Sequence, residues 1–200
     1  MTTNSKLVLA SANPGKIKEL QQMLDELGLE VIPQTALNIP DIEETGLTFV
    51  ENSILKARNA AALSNLPAIA DDSGLEVDYL KGAPGIYSAR FAGADATDTD
   101  NRKKLLDLLA GVPAEQRTAR YQTVVVYMRH ANDPTPIICQ GTWEGTIASD
   151  EKGDGGFGYD PLFQVTETNC RAAELDKQTK NRLSHRGKAM ANLMLQLQHQ

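Results

Sequence analysis

Apolar residues fall into short runs and helical stripes along this chain, separated by polar turns. Lys6-Leu7-Val8-Leu9-Ala10 reads as a buried strand. From Gly15 on, Ile17, Leu20, Met23, Leu24 and Leu27 recur at helical spacing, so a helix follows at once. Glu30-Val31-Ile32 predicts a second short strand, and residues 34–46 a polar, proline-containing loop. Phe49, Val50, Ile54, Ala57 and Ala61 mark a helix of about 17 residues. Pro67-Ala68-Ile69-Ala70 predicts a short strand ending at Asp71-Asp72-Ser73-Gly74, which suits a turn. Leu75 and Val77 then alternate with Glu76 and Asp78 as another strand.

Residues 81–97, rich in Gly and Ala, predict a long loop. The next helix spans 98–110, capped by Asp98 or Thr99 and stopped by Gly111 and Pro113. Three strands follow, Tyr121–Met128, Ile137–Gln140 and Thr142–Ala148, with the turn Ala131-Asn132-Asp133-Pro134 after the first. Gly153–Pro161 is a glycine-rich loop. Ala189, Leu193, Met194 and Leu197 share one face of a C-terminal helix, a stripe that belongs to the core. Helices in the first half and a hairpin meander over 118–150 predict an α/β fold. The expected sheet is mixed parallel and antiparallel, flanked by helices, with two lobes and a substrate cleft between them.

The chain has 200 residues, which suits a single domain, 1–200, built from two lobes. At that length roughly 70% of the unfolded surface is buried without staples. The two cysteines, Cys139 and Cys170, lie far apart with no metal-ligand spacing, as expected of reduced thiols in a cytoplasmic protein. No apolar run reaches the ~20 residues of a membrane span, and no signal-peptide order is present. A net charge of −6 without a basic tail argues against nucleic-acid polymers as partners and leaves room for a small anionic ligand.

The segment Ser11-Ala12-Asn13-Pro14-Gly15-Lys16 joins strand to helix. Such a turn aims backbone N–H groups and a lysine at one spot, an anion site that lacks the P-loop pattern. Acids at Glu43-Glu44 and Asp71-Asp72, with Lys56, Lys180 and the Ser184-His185-Arg186 group, complete the candidate set. Ligands in α/β folds bind beyond the carboxyl ends of strands, where Lys16 and Asp72 are expected. Lysines for phosphate and carboxylates for magnesium are the recipe for nucleoside-triphosphate chemistry. Plainer readings stand beside these. Glu43-Glu44 suits a solvated loop pair, Lys56 a solvated helix position, and His185 a helix start capped by Ser184. Gly155-Gly156-Phe157-Gly158-Tyr159-Asp160-Pro161 offers a platform where a base stacks on Phe157 or Tyr159 and meets backbone hydrogen bonds, or simply a tight loop.

Seven motifs occur in register: Ser-x-Asn-x-x-Lys, Glu-Glu-Thr-Gly, Phe-x-Glu-Asn-x-x-x-Lys-Ala, Ala-Asp-Asp-Ser-Gly-Leu, Gly-Ala-Pro-Gly-Ile-Tyr-Ser-Ala-Arg, Gly-Phe-Gly-Tyr-Asp-Pro and Ser-His-Arg. From about residue 6 to 197 the chain resembles the inosine triphosphate pyrophosphatase family, nearest its bacterial XTP/dITP diphosphatases. The resemblance implies hydrolysis of XTP, ITP and dITP to the monophosphate and pyrophosphate, with Mg2+, by a homodimer that cleanses the nucleotide pool. It implies Ser11, Ala12, Asn13, Pro14, Gly15 and Lys16 on the triphosphate and Lys56 on phosphate. It makes Asp72 the proton acceptor and a metal ligand, with Glu44 or its neighbour Glu43 as the second metal carboxylate. Ser73, Phe157, Gly158, Tyr159, Asp160, Lys180, His185 and Arg186 match substrate-binding positions, mostly around the base. Arg186 and backbone N–H groups near Phe157–Asp160 are the candidate donors to a C6 oxygen. Either Asp72 uses one oxygen for metal and one for water, or Asp71 shares the work. A related Maf-type pyrophosphatase is disfavoured by the Gly-Phe-Gly-Tyr-Asp-Pro and Ser-His-Arg motifs. A nucleotide-binding regulator without turnover is disfavoured by the intact acids Glu44 and Asp72.

Overall fold

In the computed structural model, which describes residues 6–25 and 29–198, the order of elements is α/β. Leu27 lies outside the described residues. The strands are β1 (Lys6–Leu9), β2 (Glu30–Pro33), β3 (Ala68–Val77), β4 (Thr118–Met128), β5 (Ile137–Ile147) and β6 (Phe163–Val165). The helices are α1 (Pro14–Asp25), α2 (Phe49–Ser64), α3 (Asp98–Leu108), α4 (Lys177–Leu183) and α5 (His185–Gln198). One six-stranded sheet runs in the order β2-β1-β3-β4-β5-β6. It is mixed, as expected. β1 pairs in parallel with β2 and with β3, and β5 pairs antiparallel with β6.

The chain divides into two compact units. Unit 1 comprises residues 1–72, 123–141 and 186–200, and unit 2 comprises 73–122 and 142–185. In unit 1, apolar residues of β1 and β3 alternate between two layers. Leu7, Leu9 and Ile69 pack with Leu20, Met23 and Leu24 of α1 and with Ala189, Met190 and Leu193 of α5. Val8, Ala68 and Ala70 pack on the other face with Ala57, Ala60 and Ala61 of α2. The small residues on α2 let that helix approach the sheet closely. Unit 2 has its own core, in which Trp143, Tyr121, Phe163, Leu105 and Leu109 are buried.

Several expected boundaries differ. Asp71-Asp72-Ser73-Gly74 is neither a strand end nor a turn. β3 runs unbroken through it, because Asp71 and Asp72 find cationic partners and Gly74 admits a neighbour. A Cβ on Gly74 would stand 2.2 Å from the carbonyl oxygen of Gly85. Segment 81–97 is not all loop, since Gly85–Arg90 forms a 3-10 helix that packs its Ser88 hydroxyl on the Leu75 amide at 2.9 Å. The two strands expected over 137–148 are one. Ile137, Cys139, Gly141, Trp143, Gly145 and Ile147 all point inward, so Gly141 keeps the alternation rather than breaking it. Neither Asp98 nor Thr99 caps α3. Thr97 does, in a capping box with Asp100.

Candidate active site

The start of α1 follows from local chemistry. Asn13 accepts hydrogen bonds from the amides of Gly15 (2.9 Å) and Lys16 (3.1 Å), and Pro14 takes the first helical position, where no N–H is needed. This sets Lys16 in the first turn, just past the carboxyl end of β1, as the sequence predicts. Its ammonium pairs with Asp71 Oδ2 at 3.2 Å. Arg186, 2% exposed at the start of α5, donates to the same oxygen from Nε (3.3 Å) and Nη2 (3.2 Å). Its Nη1 is bonded to Glu19 of α1. Burial lowers the Lys16 pKa, against the pull of Asp71. Burial raises the Asp71 carboxyl, but Lys16 and Arg186 outweigh it and hold the group far below the ordinary carboxylate range.

Asp72 faces the opposite side, toward α2. Lys56 donates to Asp72 Oδ1 at 3.0 Å and to Glu44 Oε1 at 2.9 Å, so the two carboxylates converge on one cation. Asn52, one helical turn before Lys56, donates to Asp72 Oδ2 at 3.4 Å and accepts the Gly46 amide at 2.8 Å. Gly46 lies against α2, where a Cβ would stand 2.5 Å from that of Glu51, and this draws the Glu44 loop onto the helix. Desolvation, with Glu44 adding repulsion, raises the Asp72 pKa despite Lys56 and Lys16. Burial pulls the Lys56 ammonium down, and Asp72, Asp71 and Glu44 together raise it.

The same geometry tests the magnesium expectation. Glu44 and Asp72 offer hard oxygen donors around one point, the type of set magnesium takes. Among the described residues no three or more His, Cys, Asp or Glu side chains cluster for a metal. Two protein ligands match an ion that keeps water and substrate phosphate as its other ligands. Glu43 is exposed and Glu44 half-buried, and only Glu44 meets Lys56 beside Asp72.

The remaining candidates gather in unit 2. Asp160 accepts the Phe157 amide (3.0 Å), the Tyr121 hydroxyl (3.2 Å) and the Lys180 ammonium (2.8 Å). Lys180 also stands 5.0 Å from the centroid of the Phe157 ring. Gly156 has φ +73°, and a Cβ there would stand 2.0 Å from Asp160 Oδ2, so only glycine fits. Tyr159 is a core residue whose hydroxyl donates to the Ser88 carbonyl at 2.8 Å. Of the two rings considered for base stacking, Tyr159 is closed in the core and Phe157 is half-buried, with Lys180 over its ring. His185 is buried and stacks on Tyr121, with centroids 4.8 Å apart. Ser73 is half-buried in β3.

Unit 1 therefore holds Ser11–Lys16, Glu43, Glu44, Lys56, Asp72 and Arg186. Unit 2 holds Ser73, Phe157–Asp160, Lys180 and His185. Sequence reasoning gave no role to Asn52, Glu19, Tyr121 or Arg102. Spacing offered one signal: Asn52 lies four residues before Lys56, and Glu19 three after Lys16, hence on the same helix faces.

Half-buried lysines facing paired carboxylates, on helices that flank a mixed sheet, define an α/β protein built to handle phosphate. The chain belongs to the Ham1 family, whose profile matches residues 7–196. It is 58% identical over 193 residues to a dITP/XTP pyrophosphatase of Photobacterium profundum, covering 96% of this chain and 98% of the relative. Among solved structures, a HAM1 protein from Coxiella burnetii superposes with a TM-score of 0.91 at 48% identity, covering 98% of this chain and all of that one. A nucleoside-triphosphatase described as a dITP/XTP pyrophosphatase from Mycobacterium abscessus gives 0.74 at 38% identity, covering 94% of this chain and 98% of that one.

Proposed function

We propose that this chain hydrolyses non-standard purine nucleoside triphosphates (XTP, ITP and dITP) to the nucleoside monophosphate and pyrophosphate. Family membership and the dITP/XTP pyrophosphatase activity named for the Photobacterium relative support the reaction. The single observation that carries it is the convergence of Glu44 and Asp72 on Lys56, with Lys16 held at Asp71, the residue next to Asp72.

Water attacks the α-phosphorus, the bond to the oxygen bridging to the β-phosphorus breaks, and pyrophosphate leaves. Asp72 orients the water and takes its proton, for which a raised pKa suits it. Lys16 and Lys56 supply positive charge for the phosphates. Magnesium bound by Glu44 and Asp72 would neutralise charge developing on phosphate oxygens. Asp71 shares none of this work, because Lys16 and Arg186 occupy it on the other face of β3. Phe157 offers a face to the purine, where stacking is worth roughly 1–3 kcal/mol. Both cysteines are free thiols, in keeping with a cytoplasmic enzyme acting on the nucleotide pool. The homodimer implied by the resemblance is tested by sedimentation of the purified chain.

Pyrophosphate release from ITP, dITP, XTP, GTP and ATP with magnesium tests this reading. Fast release from the first three, with monophosphate as co-product, supports it. Orthophosphate as the product, or equal rates on ATP and GTP, overturns it.

A further inference from the structure

We propose that Asp98 and Arg102 of α3 are positioning residues for purine selection, acting by clamping both peptide units that meet at Gly158. The inference rests on the reading above in which the Phe157–Asp160 segment receives the base.

Asp98 Oδ2 accepts the Gly158 N–H at 2.7 Å, and Arg102 Nη1 donates to the Gly158 carbonyl at 2.9 Å. The two residues lie four apart on α3, so one helix face presents both groups. The rest of the guanidinium is tied to the helix and to the loop. Nη2 donates to Thr99 Oγ1 at 3.1 Å, and Nε lies 3.0 Å from Glu151 Oε1. Arg102 thus grips the glycine-rich loop near its start and at its middle. Asp98 is available for this work because Thr97 and Asp100 cap the helix without it.

Gly158 needs such a clamp. Its φ is +62°, and no heavy atom lies within 4 Å of the position a Cβ would take. It has no side chain to orient it, and beyond its chain neighbours nothing packs where one would stand. Asp160 fixes the Phe157 amide next to it, so the loop is held from Asp160 on one flank and from α3 on the other. If the clamp is lost, the peptides beside Gly158 rotate, and rotation exchanges a donor for an acceptor. Purines carrying oxygen or an amino group at C6 are told apart by that sense. Both clamping bonds involve a charged side chain, and such bonds outweigh neutral ones.

The test is kcat/KM for ITP and for ATP in wild type, Asp98→Ala, Asp98→Asn, Arg102→Met and Arg102→Lys, with melting temperatures measured alongside. The ITP:ATP ratio is expected to fall about tenfold in Asp98→Ala and Arg102→Met. Asp98→Asn, which keeps an acceptor, and Arg102→Lys, which keeps a donor, should restore part of it. Amide hydrogen exchange of Gly158 without nucleotide should quicken in Asp98→Ala. A wild-type preference for ITP that both truncations leave intact overturns the inference alone, as does an equal loss on both substrates. A wild type with no preference for ITP overturns the functional reading and the inference with it.

Discussion

Asp71 and Asp72, consecutive on β3, face opposite sides of the sheet. Asp71 meets Lys16 and Arg186 on the side of α1 and α5, and Asp72 meets Asn52 and Lys56 on the side of α2. Strand alternation makes this separation. It pushes their pKa values apart, with Asp71 held low by two cations and Asp72 raised by burial. Neighbouring acids with diverging pKa values take different roles. Asp71 stays an anion at neutral pH and holds structure, and Asp72 is the proton acceptor we propose.

Asp72→Asn should therefore cut turnover of ITP by about 10²–10⁴-fold and leave the fold intact. The folded pKa of Asp72 is raised, so in metal-free protein ionising it costs stability as pH rises through that value. A neutral amide removes this cost. The variant is expected to melt, without metal at pH 7, no lower than the wild type. Substantial activity in the variant would take Asp72 out of the chemistry.

Asp71→Asn should behave in the opposite way. It leaves Lys16 and Arg186 short of a buried counter-charge, a loss of about 3–5 kcal/mol. The sign with pH follows from the depressed folded pKa. Stability from Asp71 is complete above about pH 4 and drains away as pH falls toward the folded value. Denaturant unfolding from pH 7 to pH 2 should show the gap between wild type and variant closing in acid. A gap independent of pH would mean that Asp71 acts through packing rather than charge.

Glu44 and Glu43 separate by their surroundings. Glu44 shares Lys56 with Asp72, and Glu43 is exposed. Glu44→Gln should raise the magnesium concentration for half-maximal turnover at least about tenfold, and Glu43→Gln should leave it in place. Titration calorimetry of magnesium alone gives a second readout. The reverse ranking would move the metal ligand to Glu43.

Gly74→Ala tests how the segment after β3 docks. The added methyl would collide with the Gly85 carbonyl at 2.2 Å and the Ser88 hydroxyl at 2.6 Å. A destabilisation of about 1–3 kcal/mol is expected by thermal or urea unfolding. A variant as stable as the wild type would show that the 3-10 helix Gly85–Arg90 yields without cost.

Much of this was legible in residue order. The period-3.6 stripes marked α1, α2 and α5, and the strand-turn-helix around Ser11–Lys16 placed Lys16 correctly. Polar residues and glycines do not break the strands where the sequence suggests they would. Asp71 and Asp72 stay inside a strand because partners distant in sequence meet them, Lys16 and Arg186 at Asp71 and Lys56 and Asn52 at Asp72. Gly141 stays inside another because its neighbours keep the alternation. α4, Lys177–Leu183, carries no apolar stripe, and β6 has three residues, so neither has a periodic signature. Composition offers Asp98 or Thr99 as the cap of α3, since it does not tell a capping acid from one that reaches out to a distant amide.

Arg186 belongs to unit 1 but enters the chain after all of unit 2. During synthesis Asp71 and Lys16 thus leave the ribosome long before their third partner does. The cluster of Lys16, Glu19, Asp71 and Arg186 closes only when the start of α5 arrives, so until then Asp71 has Lys16 without Arg186. The order of residues along the chain therefore sets the order in which these charges meet, with the arginine last.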